Sequence, residues 1–211
     1  FSGGTYHSAI NGFARGRQTM AAAKARKRAE QRDPARSIHA APARLRHDRE
    51  LGGWTVPLPT IDGSVVRRSA AAVPRYGPEF TYGHHLLAKH LASIGAIAGG
   101  VGAVAALAPL PPTRKLLLKM KDPGEGPDEA TRARSWFKLT FVGEGGGERV
   151  VTEVSGGDPG YGETSKMLAE SALCLAFDDL PETAGQATTV AAMGDMLLTR
   201  VKKAGITFRV R

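Results

Sequence analysis

Val154-Ser-Gly-Gly-Asp-Pro-Gly-Tyr-Gly-Glu-Thr-Ser-Lys-Met-Leu-Ala-Glu-Ser-Ala-Leu-Cys-Leu-Ala176 runs a glycine-rich strand exit directly into a patterned helix. Glycines at such a passage allow close backbone approach, and the free N–H groups of a helix start favour negative charge; a small pocket lined by backbone amides is therefore expected. Within the stretch, Asp158-Pro159-Gly160-Tyr161 has the residues of a type II turn, with Pro pre-setting φ and Gly accepting positive φ. Thr164 or Ser165 is the expected cap of the helix that follows.

Outward from this point the periods are clean. Met167, Leu168, Ser171, Ala172 and Leu175 make one stripe of a helix over 163–177, and Val190, Met193, Leu197 and Val201 do the same over 189–203. Phe137, Leu139 and Phe141 alternate with polar residues, Gly143–Gly147 turns the chain, and Val150, Thr152 and Val154 alternate back, which reads as a hairpin. Gly205 closes the second helix before a terminal strand carrying Ile206, Phe208 and Val210. The fold class is α+β: an antiparallel or mixed sheet with helices on one face over 122–211.

The N-terminal half reads differently. Residues 5–32 suggest one helix rich in Ala, Arg and Lys, ended by Asp33-Pro34, and 33–58 a long connection without sustained period. Residues 1–58 thus form a basic helical arm, and 59–121 a helical segment. In the latter, Asp62 caps a short helix that stops at Pro74. Residues 86–108 are expected to form one helical segment, and 91–110 carry no charged side chain and are mostly Ala and Gly. About 20 such residues suit a buried helix packed through Gly95 and Gly99, a helix in a membrane interface, or a full span.

The 211 residues carry a formal charge of +9, distributed unevenly. Residues 1–50 hold 11 Lys/Arg against 4 Asp/Glu, whereas 114–211 hold 14 against 14. No aromatics interleave with the basic run Lys24-Ala-Arg-Lys-Arg28, which reads as a solvated helix face, and no nucleic-acid partner is expected. The single cysteine, Cys174, excludes an internal disulfide and reads as a packing residue. His84, His85 and His90 cluster without acidic or cysteine partners at ligand spacing, so no metal site is expected. No G-x-G-x-x-G joins a strand to a helix: Gly124-Glu-Gly126 leads into Pro127, and Gly143–Gly147 lies in the hairpin. The chain opens on Phe1-Ser-Gly-Gly-Thr5, which reads as a strand end feeding a helix and gives the expectation of a truncated chain.

Several segments in order carry a resemblance: Phe1–Thr5, Pro59-Thr-Ile-Asp62, Val65-Val-Arg-Arg-Ser-Ala70, Arg75-Tyr-Gly-Pro-Glu-Phe80 with Tyr82-Gly-His84, Ser135-Trp-Phe137, and Ala192-Met-Gly-Asp195 with Ala204-Gly-Ile206. On these the chain resembles the C-terminal half of saccharopine-dehydrogenase-like oxidoreductases and, among them, the bacterial trans-acting enoyl reductases. The resemblance implies NADP(H)-dependent reduction of a carbon–carbon double bond in a lipid or polyketide intermediate, with the nucleotide bound mainly by an N-terminal domain absent from this chain. The single cysteine fits a reducing compartment, so a cytoplasmic protein is expected, peripheral to the membrane if the apolar segment meets lipid; self-association into a homo-oligomer stays open. A non-catalytic lipid-contact module is the competing reading.

Against that background the site candidates are these. Ser2-Gly3-Gly4-Thr5 would lie near the cofactor cleft, its glycines admitting close approach; the alternative is a tight turn and nothing more. Tyr161 is the candidate catalytic donor to a substrate carbonyl or enolate oxygen, the alternative being a packed aromatic. Gly156, Gly157, Asp158 and Gly160 would line the substrate pocket, and Arg67 and Arg68 would hold the phosphate of a carrier-bound acyl substrate unless they are surface arginines.

Overall fold

A computed structural model describes residues 2–29, 35–58 and 60–211. The helix end expected at Asp33-Pro34, the strand end at Phe1 and the start of the Pro59 segment lie outside the described residues. The chain is α+β and divides into two compact units, Gly3–Glu125 and Gly126–Arg211, the second including Ser2.

The N-terminal unit begins with helix α1 (Gly3–Ala14) and helix α2 (Gly16–Ala29), not with one helix from Thr5. The junction is Arg15, whose amide donates to the Asn11 and Gly12 carbonyls and closes α1. Its own carbonyl accepts from Thr19 and opens α2. Ile10 is buried and anchors α1, and the α1 start is tied to the 120–125 turn: the Gly3 amide donates to the Glu125 carbonyl at 2.7 Å, and His7 Nε2 lies 2.8 Å from the Lys121 carbonyl oxygen.

The expected long connection contains three strands, β1 (Ser37–Ala40), β2 (Arg46–Asp48) and β3 (Gly53–Pro57). After α3 (Asp62–Ala72) come β4 (Glu79–Tyr82) and β5 (His85–Ala88). β1 pairs in parallel with β4, and β2, β3 and β5 form an antiparallel sheet in that order. Pairing thus crosses the expected boundary at 58/59. β2 and β3 pair locally, but β1 with β4 and β3 with β5 are distant pairings, which no local period reports. Asp62 is the first helical residue of α3 and not its cap; the C-terminal end is held by Arg36, whose guanidinium donates to the Ala71, Val73 and Gly77 carbonyls.

The apolar segment is also divided. His85–Ala88 belongs to β5, and the helix α4 runs Leu91–Leu107, followed by α5 (Pro111–Leu118). α4 contains no buried residue, and nothing lies within 4 Å of where a Cβ on Gly95 or Gly99 would be. It is therefore not a helix buried through those glycines within this chain. No described helix is long and apolar enough to cross a membrane.

In the C-terminal unit a short helix α6 (Glu129–Arg134) precedes β6 (Phe137–Gly145), β7 (Glu148–Gly156), helix α7 (Gly162–Phe177), helix α8 (Thr189–Lys203) and β8 (Thr207–Val210). The sheet is antiparallel, ordered β6-β7-β8. Its hairpin turns on Gly146 and Gly147, both with positive φ, so Gly143–Gly145 still belong to the ladder. Cys174, Met193, Val201 and Ile206 make the core. The end of α8 is a Schellman motif: Gly205 donates to Lys202, Ile206 donates to Val201, and the Ile206 and Val201 side chains are both buried. α8 is not one even helix, because Gly194 at φ 48, ψ −131 kinks it.

Candidate active site

The passage from β7 to α7 is built around two carboxylates. Asp158 Oδ2 accepts from the amides of Tyr161 at 2.8 Å and Gly162 at 3.0 Å, and Oδ1 accepts from Gly160 at 3.3 Å. These bonds, the Gly162 amide foremost, hold the Asp158 carboxyl below the usual carboxylate range, with Arg132 adding to the effect. Neither Thr164 nor Ser165 caps α7, whose N-cap residue is Tyr161; Asp158 takes the first helical amide, Gly162, while Thr164 and Ser165 donate their hydroxyls to the Pro159 and Gly162 carbonyls. Gly160 does not have positive φ, so the turn is not type II: the Asx bonds close it instead.

Glu163 is 8% exposed. Its Oε1 accepts from the Gly157 amide at 3.1 Å, and its Oε2 is 2.7 Å from Lys166 Nζ. A Cβ on Gly157 would come within 3.0 Å of Glu163, and one on Gly156 within 2.8 Å of the Phe137 ring. These two glycines therefore make room for the chain's own side chains. The expected pocket of free amides is filled from within: Asp158 and Glu163 supply the negative charge that the helix start attracts.

What remains open there is Tyr161. It is 36% exposed, and among the described residues nothing hydrogen-bonds its hydroxyl. A Cβ on Gly126 would strike that hydroxyl, so the glycine is needed where the chain passes over it. The Arg132 guanidinium sits 5.7 Å from the Tyr161 ring centroid. Tyr161, Arg132 and Asp158 thus form one polar group, offering a free hydroxyl donor beside a cation.

The other expected site residues are placed elsewhere. Gly3 is buried against the Asp122 carbonyl, which occupies the position of a Cβ, and its amide is spent on Glu125; its close approach is to protein. Gly4 is exposed, and Ser2 and Thr5 each have partners. Arg67 and Arg68 lie on α3, in the N-terminal unit, whereas Tyr161 and its neighbours lie in the C-terminal one. The implied nicotinamide nucleotide does not fit the described residues of the β7–α7 passage. The strand-to-helix passage best suited to a pyrophosphate has its amides committed to Asp158 and Glu163, carboxylates that would repel it.

Two polar groups escaped the sequence reading. In the N-terminal unit the Tyr82 hydroxyl lies 3.2 Å from His84 Nδ1; burial first, then the Asp62 charge, pushes the Tyr82 hydroxyl up. In the C-terminal unit Arg200 donates to Asp178 through Nε at 2.6 Å and Nη2 at 2.7 Å, and through Nη1 to Glu170 at 3.3 Å. That fork holds Asp178 at a pKa of about 2 and lies in an open cleft of about 370 Å³ lined also by Met196, Thr199 and Lys203. The burial of Cys174 beside it raises the thiol. Spacing of charges on α7 and α8 could have suggested the Arg200 fork; the Tyr82–His84 contact joins residues two apart and turns on side-chain conformation that spacing leaves open.

Comparison with known proteins places these features in context. The chain is 36% identical over 180 residues to a Mycobacterium tuberculosis protein named for trans-acting enoyl reduction, covering 76% of this chain and 42% of that protein. The chain is similar to trans-acting enoyl reductases. A Mycobacterium ulcerans trans-acting enoyl reductase is 34% identical over 77% of this chain and 43% of its own length, and one from Mycobacterium bovis is 33% identical over 74% and 41%. The chain spans about two fifths of the length of these curated relatives. No family model and no solved structure matches.

Proposed function

We propose that this chain is the substrate-side part of an NADP(H)-dependent enoyl reductase that acts on a lipid or polyketide intermediate. The similarity to trans-acting enoyl reductases carries the reading. The nucleotide, whose pyrophosphate the carboxylate-filled passage at α7 disfavours, belongs on another part of the protein. What this chain's residues contribute is polarisation of the substrate. When a double bond conjugated to a carbonyl is reduced, negative charge collects on that carbonyl oxygen. The Tyr161 hydroxyl, unengaged by the described residues, donates a hydrogen bond to it, and the Arg132 cation beside the ring favours the charge. Asp158 holds the Tyr161 amide and with it the ring's position.

The test is reduction of an α,β-unsaturated acyl thioester with NADPH by the complete protein. Tyr161→Phe keeps the ring and removes the donor, and should lower kcat by roughly 10- to 1000-fold with the fold intact. Tyr82→Phe, whose hydroxyl is engaged by His84, is the comparison and should leave most of the activity. Full activity in Tyr161→Phe would remove Tyr161 from the mechanism; no NADPH-dependent turnover of any enoyl thioester by the wild type would overturn the reading itself.

A further inference from the structure

Helix α4 is unusual for what surrounds it. Its 17 residues carry no charge, none is buried, and Ile97 and Val101 are each 52% exposed. A helix apolar on all sides is normally covered, and a continuous exposed apolar surface of this length marks a contact site. α5 and the residues just after it continue this surface: Leu116 and Met120 are exposed next to Lys115 and Lys119. From Phe80 to Lys121 there is no Asp or Glu, whereas Lys89 stands before α4 and Arg114, Lys115, Lys119 and Lys121 follow it. An apolar helix set between cations, in a stretch that itself holds no acidic residue, complements one kind of partner: an apolar layer faced by negative charge.

We infer that α4 and α5 dock this protein on an anionic phospholipid surface, with α4 embedded among the acyl chains and Lys115 of α5 and Lys119 just after it at the headgroups. At about 1.5 Å per residue α4 is roughly 25 Å long, short of the ~30 Å hydrocarbon core, so it lodges in one leaflet and does not span. Ala and Gly dominate it, which makes each residue's transfer weak and gives the cations a large share of the binding. The inference stands apart from the enoyl-reductase reading, and its test uses no turnover.

Purified protein is floated with phosphatidylcholine vesicles that contain or lack phosphatidylglycerol. Flotation is expected with the anionic vesicles, decreasing as salt rises. Lys115→Glu and Lys119→Glu, both at exposed positions, should each weaken vesicle partition by about 5-fold or more. Ile97→Asp and Val101→Asp should abolish it; both positions are exposed, so unchanged circular dichroism and melting certify that the loss is not unfolding. Absence of flotation, or flotation indifferent to the two aspartates, overturns the inference. So does equal binding to neutral vesicles. A stable dimer by sedimentation velocity that the same aspartates dissociate also overturns it, because a second copy would then be the cover.

Discussion

Arg200 shows how a single side chain can organise an interface between helices. Its planar fork meets both oxygens of Asp178 and reaches Glu170, joining the end of α7 to the second half of α8. Asp178 thereby drops from its ordinary 3.8 to about 2, the hydrogen bonds from Arg200 being the largest cause. A carboxyl whose folded pKa is depressed contributes stability that is present above its unfolded value and disappears as pH falls through the folded one. The protein should therefore lose stability between about pH 4 and pH 2, and Asp178→Asn should flatten that part of the profile while lowering Tm at neutral pH. Thermal melts of both proteins across this range check it; parallel profiles would mean that Asp178 does not set the acid limb. The Cys174 thiol is fully buried beside this pair, which suits its reading as a packing residue.

At the level of elements, Gly194 is the exception within α8. Its φ of 48 lies where an L side chain is strained, although no atom lies within 4 Å of a Cβ there. Gly194→Ala should thus destabilise by about 1–3 kcal/mol through backbone conformation alone. Gly99→Ala on α4, equally open but within regular helix, should stabilise by about 0.5–1 kcal/mol. Denaturant titration of the two variants separates the cases, and a neutral or stabilising Gly194→Ala would show that the kink is relieved at no cost. The two helices and the hairpin of the C-terminal unit were legible because their apolar residues recur at the helical or strand period over nine residues or more. β1, β2 and β3 were not, since three to five residues are too few for a period, and β1 and the second edge of β3 find their partners far along the chain. At the candidate site a turn ahead of α7 was legible, but neither its type nor the filling of its amides was: the bonds to Asp158 and Glu163 depend on side-chain geometry that residue types alone leave open.

For the whole molecule, charge follows the division into units. Gly3–Glu125 carries 19 Lys/Arg against 8 Asp/Glu, and Gly126–Arg211 carries 10 against 12. Cleavage by trypsin should follow exposure and not charge alone. Arg17, Lys24 and Arg26 on α2 are all exposed, and limited digestion should cut there first. Lys166 is held by Glu163, and Arg200 by Asp178 and Glu170, so cutting at these two should come late. Mass spectrometry of the first fragments decides it, and early cleavage after Lys166 or Arg200 would contradict the compactness of the C-terminal unit. The parallel pairing of β1 with β4 has a further consequence during synthesis. Ala40 emerges from the ribosome about 40 residues before its partner Tyr82, roughly 2–8 s at ordinary elongation rates of about 5–20 residues/s. For that interval β1 has an unmatched edge in the cell, whereas β7 meets β6 within moments of leaving the exit tunnel. The second edge of β7 waits longer still, for β8, so each unit leaves a strand edge open long enough for a ribosome-associated chaperone to act.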